Sequence, residues 1–454
     1  MAMAGLIATS EQRMVLGLGV TGCSVIRWWR AQGVPFKAAD TRPAMAQDSE
    51  VLAAIGADTD VYFGEMNPQM LDAVSELVVS PGIALDDPFV QLARDRGIRI
   101  IGDIDIFMAL AKAPVIGITG SNGKTTVTAL LGTMLRQCGK QVAVGGNVGT
   151  PALDLLDDSI ELYVLELSSF QLERAQDLGL SVATVLNVSA DHLDRHGSMP
   201  RYHLAKHRIF QGAKSVVVNR ADPLTIPLLE HAVDVLIWRP DEPDLNEFGT
   251  RVIDDVRWIC RGFEPLLSVN ELLLPGDHNL NNALAALACG VAAGADAQTL
   301  VQGLTTFEGL PHRCETVVER DGVRWINDSK GTNTGATTAA LEGMGGQNNV
   351  VLIAGGVGKN QDFSLLIPAV REHCKRVFTL GEAARELELA LGNTVPCQRV
   401  PDLDAAVQRA TDIIEPGDLV LLSPACASFD LFASYEARGD YFRAHVQAVV
   451  GGVR

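Results

Sequence analysis

The chain has no long run of lysine and arginine, no C-x-x-C pair, no apolar stretch long enough to span a bilayer, no short-period repeat and no low-complexity tract. Each absence removes a class. Without a basic patch to override it, a net charge of −18 repels polyanions, so no nucleic-acid partner is expected. The eight cysteines (Cys23, Cys138, Cys260, Cys289, Cys314, Cys374, Cys397, Cys426) show neither pairing nor metal-ligand spacing and read as reduced thiols of a cytosolic protein. The opening Met1–Ala8 lacks a basic region and soon meets Glu11 and Arg13, so neither signal peptide nor membrane span is expected, and the cytoplasm is the expected location. Hydrophobic content of 47% with 20% charged residues excludes disorder and fibre, and 454 residues leave room for several cores.

What is present is concentrated in Val115-Ile-Gly-Ile-Thr-Gly-Ser-Asn-Gly-Lys-Thr-Thr126, an apolar strand that empties into a glycine turn ending in Lys-Thr. Gly120 and Gly123 let backbone N–H groups approach phosphate oxygens. Lys124 supplies a cation, and Thr125 a hydroxyl for Mg²⁺ at a helix start. The general phosphate loop reads G-x-x-x-x-G-K-[ST]; here Ile118 stands where its first glycine belongs, so the loop is the shorter G-x-x-G-K-T. The strand before it and Val127-Thr-Ala-Leu-Leu131 after it supply the required context.

Three α/β modules are legible. Met14-Val-Leu-Gly-Leu-Gly-Val-Thr-Gly22 places Gly17, Gly19 and Gly22 as G-x-G-x-x-G before the amphipathic Ser24–Gln32, and Asp40 closes the strand Pro35–Asp40. By itself this reads as a dinucleotide fold, with the acid on a ribose hydroxyl. Strands at Glu76–Ser80 and Arg99–Gly102 complete a Rossmann-like first module, 1–103, and a helix at Asp105–Ala111 follows it. The central module, 104–310, continues from the phosphate loop through strands Ile160–Glu166, Val182–Val188 and Ser215–Asn219. A small antiparallel patch at Val252–Val269 and an Ala/Leu-rich helix after Gly276 follow. Strands Val323–Asn327, Val350–Gly355, Arg376–Leu380 and Asp418–Ser423 form a third, Rossmann-like module, 311–454. Strand-helix alternation of this kind predicts parallel sheets with helices on both faces, the central one resembling a phosphate-loop ATPase.

Polar clusters fall at the carboxyl ends of these strands, where open parallel sheets bind ligands. Glu166 ends an apolar strand beside the phosphate loop and suits Mg²⁺, which takes one or two carboxylates plus phosphate oxygens. Asp191-His-Leu-Asp-Arg-His-Gly197 points to metal or substrate contact. Lys206, in a helical stretch Arg201–Phe210, reads by default as a solvated helix lysine. Asn327-Asp-Ser-Lys-Gly-Thr-Asn333 is either a polar turn or a site, and Gly355-Gly-Val-Gly-Lys359 suits a carboxylate or phosphate about as well as a simple turn.

Taken together, Gly120–Thr126, Gly146-Asn-Val-Gly149, Leu165-Glu-Leu-Ser-Ser-Phe-Gln171, Asn187–Arg195, His278-Asn-Leu-Asn-Asn282, Gly309-Leu-Pro-His-Arg313, Asn327-Asp-Ser-Lys330 and Ser423-Pro-Ala-Cys-Ala-Ser428 resemble, in order, the signature of the Mur ligases of peptidoglycan precursor synthesis. The N-terminal glycine motif, Ser80-Pro-Gly82 and the run through Asp430, Tyr435 and Arg438-Gly439 look most like the D-glutamate-adding members. The Asn-Pro-Arg type of motif of diaminopimelate- or lysine-adding members is absent.

The resemblance implies an ATP-dependent ligase joining D-glutamate to the alanine carboxylate of UDP-N-acetylmuramoyl-L-alanine through an acyl phosphate and a tetrahedral intermediate, as a monomer. It moves the first module from a dinucleotide to the UDP of a nucleotide-sugar, with Val20, Thr21, Asp40, Thr41, Arg42, Ser80, Pro81 and Gly82 nearby. It assigns ATP to Thr119, Gly120, Ser121, Asn122, Gly123, Lys124, Thr125, Thr126, Asn279, Asn282, Arg313 and Asp328. One Mg²⁺ falls to Thr125 and Glu166, and a second to His192 and a carbamylated Lys206. Asn147 and Ser168 face the muramoyl substrate; Lys330, Thr332, Lys359, Ser428 and Tyr435 receive glutamate.

Three rivals explain less. A switch GTPase would use Asp194-Arg-His-Gly197 and Asn219-Arg-Ala-Asp222, but the loop is short, Arg220 replaces lysine and the motifs lie too close together. An NAD-dependent oxidoreductase leaves the Gly-Lys-Thr loop unexplained. Folylpolyglutamate synthetase lacks the first module.

Overall fold

The computed structural model describes residues 12–56, 59–176, 178–228, 233–274 and 276–451. Its first sheet joins β1 (Gln12–Leu16), β2 (Phe36–Asp40), β3 (Asp60–Phe63), β4 (Val74–Val79) and β5 (Arg99–Ile101), all parallel, in the order β3-β2-β1-β4-β5. Successive side chains alternate between two cores. Val15 and Val78 enter one, while Met14, Leu16, Leu77 and Val79 enter the other. Period-two alternation with both faces buried is what helices on both sides of a parallel sheet demand.

The second sheet holds β6 (Val115–Thr119), β7 (Val142–Gly146), β8 (Leu162–Glu166), β9 (Val182–Val185), β10 (Ser215–Asn219), β11 (Asp234–Trp238), β12 (Phe248–Ile253), β13 (Val256–Arg261) and β14 (Glu264–Ser268). Their order is β14-β13-β12-β11-β10-β9-β6-β8-β7, antiparallel only across β12-β13-β14. The third sheet comprises β15 (Glu315–Arg320), β16 (Val323–Asn327), β17 (Val350–Gly355), β18 (Cys374–Leu380), β19 (Cys397–Arg399) and β20 (Leu419–Leu422), ordered β15-β16-β20-β17-β18-β19 with β15 antiparallel.

The helix Lys124–Gln137 leaves the phosphate loop and buries Val127, Leu130, Leu131, Met134 and Leu135 against the alanine-rich helix Asp277–Ala292. Small alanines let the helices approach closely. Emptying that contact with Leu131→Ala would cost about 2–5 kcal/mol and loosen the helix that carries the loop.

Several elements differ in extent from the sequence expectation. The first helix runs Val20–Ala31, starting as soon as the glycine turn ends at Gly19, and the linker helix is Asp103–Leu110. The stretch at Arg201–Phe210 is an α-helix Met199–His207 followed by a 3₁₀ turn. The strand expected to reach Val188 stops at Val185, because Asn187 turns aside to brace the phosphate loop. Its carbonyl accepts from Ser121 N–H (3.0 Å), and its side chain exchanges hydrogen bonds with the backbone of Asn122 (2.9 and 3.0 Å). Edge strands β3, β7, β15 and β19 and the short β11 carried no separate sequence signal.

Candidate active site

The phosphate loop fills the gap between β6 and its helix. Gly123 has φ +81, and a Cβ there would lie 2.4 Å from Asn282 Oδ1, so the loop and the helix Asp277–Ala292 touch at a place only glycine fits. Lys124 folds back to donate to the carbonyls of Gly120 (2.8 Å) and Ser121 (2.9 Å). Its ammonium is depressed by burial, and Arg313 and Lys359 depress it further, against the pull of Glu166 and Asp191. Thr119 is fully buried, Thr126 nearly so.

Next to the loop, Thr125 donates its hydroxyl proton to Glu166 Oε2 (2.6 Å), Asn147 Nδ2 donates to Glu166 Oε1 (2.8 Å), and Arg313 reaches from the third module to Thr125 Oγ1 (2.5 Å). Hydroxyl and carboxylate oxygens held this close form a hard donor set that suits Mg²⁺. Ser168 caps the helix Ser169–Arg174 in a reciprocal box with Gln171.

Lys206 is buried beneath the loop. Its amine donates to Gly120 O (2.7 Å) and sits 4.5 Å from the Tyr202 ring centre, and burial, with Lys124 nearby, pushes its pKa well below the usual lysine range. The solvated-lysine reading fails: the residue faces inward because its helix packs Tyr202, Ala205 and Lys206 toward the sheet. His192 adopts a left-handed backbone (φ 54), and burial, aided by Lys359, Lys124 and Lys206, lowers its pKa to about 4 against Asp191. It is neutral at pH 7, the state a metal ligand requires.

The third module approaches through Asp191. Lys359 Nζ donates to Asp191 Oδ1 (3.2 Å), and Asn333 Nδ2 donates to both Asp191 Oδ2 and Asn122 Oδ1 (3.1 Å each). Burial raises the Asp191 pKa, but Lys359, His192 and Asn333 outweigh it and the carboxylate stays ionised. Lys330 sits 3.9 Å from the Tyr435 ring centre, and burial, with Arg313 and Lys124, brings its pKa to about 8. Asp328 accepts from Ser423 Oγ (2.7 Å) and Cys314 N–H (3.3 Å), yet burial lifts its pKa to about 6.

A cavity of about 1120 Å³ joins these groups. Ser121 to Thr126, Asn147, Glu166, Ser168, His192, Lys206, Asn279, Asn282, Arg313, Asp328, Lys330, Thr332, Lys359, Ser428 and Tyr435 all line it, with Pro81 and Gly82 from the first module at its rim. Val20, Thr21, Asp40, Thr41, Arg42 and Ser80 lie outside that lining, at the carboxyl edge of the first sheet. There Ser80 Oγ donates to Gly17 O (2.6 Å), and the Asp40 carboxylate accepts from Leu18 N–H (2.6 Å), Arg42 N–H (2.8 Å) and the Arg42 guanidinium (2.8 and 2.9 Å). Asp40 thus fixes the glycine turn and Arg42.

Sequence reasoning placed Asp191 and Asn333 in polar clusters and Asn187 at a strand end without giving any of them a partner, and it passed over Tyr202. Tyr202 stands four residues before Lys206 on one helix face, which is a local signal. No local pattern pairs Asn333 with Asn122, 211 positions away.

Models of three domains match in order: the MurD-like N-terminal domain of Mur ligases at 11–102, the Mur ligase middle domain at 118–290, and the Mur ligase glutamate ligase domain at 312–426. The chain is 49% identical over 439 residues to UDP-N-acetylmuramoylalanine--D-glutamate ligase of Pseudomonas putida, covering 96% of this chain and 97% of the relative. It is 49% identical over 447 residues to the Pseudomonas aeruginosa enzyme of the same name, covering 97% and 99%. Among solved structures, UDP-N-acetylmuramate-alanine ligase from Thermotoga maritima aligns with TM-score 0.60 at 18% identity, over 96% of this chain and 99% of that one. MurF from Acinetobacter baumannii aligns with TM-score 0.59 at 17%, over 92% and 89%, so the three-module fold is shared where little sequence is. With its three domain models in register and half its residues matched along nearly the whole length, this chain belongs to the Mur ligase family.

Proposed function

We propose that this chain uses ATP to join D-glutamate to the alanine carboxylate of UDP-N-acetylmuramoyl-L-alanine, the substrates that its curated relatives' names carry. The observation that carries the reading is one cavity in which a phosphate loop, an acidic strand end and a lysine-bearing third module converge. A carboxylate is a poor electrophile, so it is first phosphorylated. An alanine carboxylate oxygen bonds to the γ-phosphorus as the bond to the bridging oxygen of ADP breaks, giving an acyl phosphate. The glutamate amine then adds its lone pair to the acyl carbon, and the tetrahedral intermediate expels phosphate as its nitrogen gives up a proton to solvent and the amide forms. Placing a triphosphate, a carboxylate and a dianionic amino acid together demands cations.

Lys124 neutralises the phosphates that the amides of Thr119 to Thr126 cradle, and Asn279, Asn282, Arg313 and Asp328 hold the nucleotide. Val20, Thr21, Thr41, Arg42, Ser80, Pro81 and Gly82 take the UDP end, with Asp40 acting through Arg42, and Asn147 and Ser168 face the muramoyl part. Lys330, Thr332, Lys359, Ser428 and Tyr435 receive glutamate. Mg²⁺, when bound, neutralises phosphate oxygens; Thr125 and Glu166 would hold one ion, His192 and Lys206 the other.

An ammonium at Lys206 repels a cation, but a buried amine with a depressed pKa carries the lone pair that adds to CO₂, releasing a proton and leaving a carbamate oxygen suited to Mg²⁺. Cytoplasm is the proposed compartment, in keeping with eight free cysteines. No helix among the described residues is long and apolar enough to cross a membrane. A monomer suffices, since one chain supplies every group named here.

The test is phosphate release from ATP or GTP with and without UDP-N-acetylmuramoyl-L-alanine plus D-glutamate. ATP-specific release that needs both co-substrates is expected; robust GTP turnover without them overturns the reading.

A further inference from the structure

Two arginines converge on one carbonyl of the first module. Arg195 Nη2 donates to Ile83 O (2.7 Å) and its Nη1 to Gly82 O (3.3 Å), while Arg174 Nη2 donates to the same Ile83 O (2.8 Å). Arg195 lies on the short helix Leu193–His196, three residues after His192, and Arg174 ends the helix that Ser168 caps. Cavity-lining residues stand at the start of both helices, His192 before one and Ser169 in the other, and each helix sends an arginine onto the Ser80–Ile83 loop.

The surroundings make this a joint. Arg174 is only 3% exposed, and its stem runs over Gly102, where a Cβ would lie 3.1 Å from Arg174 Cδ, at the crossing between the modules. Gln171 Nε2 donates to Asp103 Oδ2 (3.1 Å) and Gln176 N–H to Asp105 Oδ1 (2.8 Å), which ties the same segment to the linker helix. Arg195 packs 5.2 Å from the centre of the Phe170 ring. Nε and Nη1 of Arg174 have no hydrogen-bond partner among the described residues, so burying this guanidinium is costly; the carboxylates of Glu173, Asp103 and Asp105 offset part of that cost, and the bond to Ile83 O gives its Nη2 a partner.

We infer that Arg174 and Arg195 are positioning residues that set the span between the loop at the nucleotide-sugar's UDP end and the helices facing its reacting carboxylate. This rests on the functional reading above. A substrate anchored at both ends gains affinity only when the distance between its subsites is fixed, and transfer to the carboxylate tolerates little misplacement. A lysine cannot reproduce the Arg195 fork across two successive carbonyls.

The test compares Arg195→Lys, Arg195→Ala and Arg174→Gln with wild type, measuring by calorimetry the affinities of UDP, UDP-N-acetylmuramoyl-L-alanine and ATP, with kcat and each KM. UDP needs the first module alone; the full substrate needs both. Expected is a loss of about tenfold or more in full-substrate affinity and in kcat, with UDP and ATP affinities held within about twofold. Equal weakening of UDP and the full substrate, or no change in either Arg195 variant, overturns the inference. Should Arg174→Gln not fold, as judged by its melting curve, the Arg195 variants decide. Wild-type protein that fails to bind UDP-N-acetylmuramoyl-L-alanine at all overturns the functional reading instead.

Discussion

Gly123→Ala puts a single methyl group at the tightest contact of the phosphate loop. The left-handed backbone at φ +81 costs an L-residue about 1–2 kcal/mol. The new Cβ would stand 2.4 Å from Asn282 Oδ1, so Asn282 must swing away, and its hydrogen bond to Asn279 Oδ1 (3.4 Å), worth about 1 kcal/mol at most, goes with it. The total is about 1–3 kcal/mol. For a module of this size that lowers the melting temperature by about 2–12 °C. Because Asn282 lines the cavity on the proposed nucleotide side, losing its contact raises the KM for ATP about tenfold while the KM for the nucleotide-sugar stays put. Steady-state kinetics in each substrate and a thermal melt read both effects. A variant with an unchanged KM for ATP would refute the placement of the nucleotide against this turn.

Three further outcomes are expected. Asp328, with its folded pKa lifted to about 6 by burial, contributes stability that is full below its unfolded pKa and lost as the pH rises through the folded value. The stability of wild type relative to Asp328→Asn therefore falls between pH 4 and 7 in urea unfolding, and parallel profiles would contradict this. Lys359→Met removes the cation that faces Asp191 across the module boundary, leaving it only the Asn333 amide there, and raises the KM for glutamate by about tenfold or more, with the KM for the nucleotide-sugar unchanged, in phosphate-release kinetics. Removing dissolved CO₂ lowers turnover of the wild type and bicarbonate restores it, intact mass showing the carbamate; Lys206→Gln is inactive under both conditions, and an unmodified amine in active enzyme would end the carbamate proposal.

Much of the fold was readable because its strands are buried on both faces. Met14 to Leu16, Val115 to Thr119 and Val350 to Gly355 are buried, mostly apolar runs that meet a glycine at their carboxyl ends, Gly17, Gly120 and Gly355, and such a run marks a strand and the loop that follows it at once. Half-exposed edge strands such as Asp60–Phe63 dilute that signal. Lys206 was misjudged locally because helix periodicity says which residues share a face but not which face turns inward. Asn187 was read as the strand's continuation because its hydrogen bonds go to a loop 65 positions earlier.

The sequence by itself determined the parallel sheets, the glycine turn between Val115–Thr119 and its helix, and the order of the polar clusters, since each depends on residues within a few positions of one another. Only the tertiary structure decided that Arg313 meets Thr125, that Lys359 and Asn333 close on Asp191, and that two arginines fasten one module's loop to the other's helices. Those contacts join residues about a hundred or more positions apart, and their geometry is fixed by how three separately folded sheets pack, which no local pattern encodes.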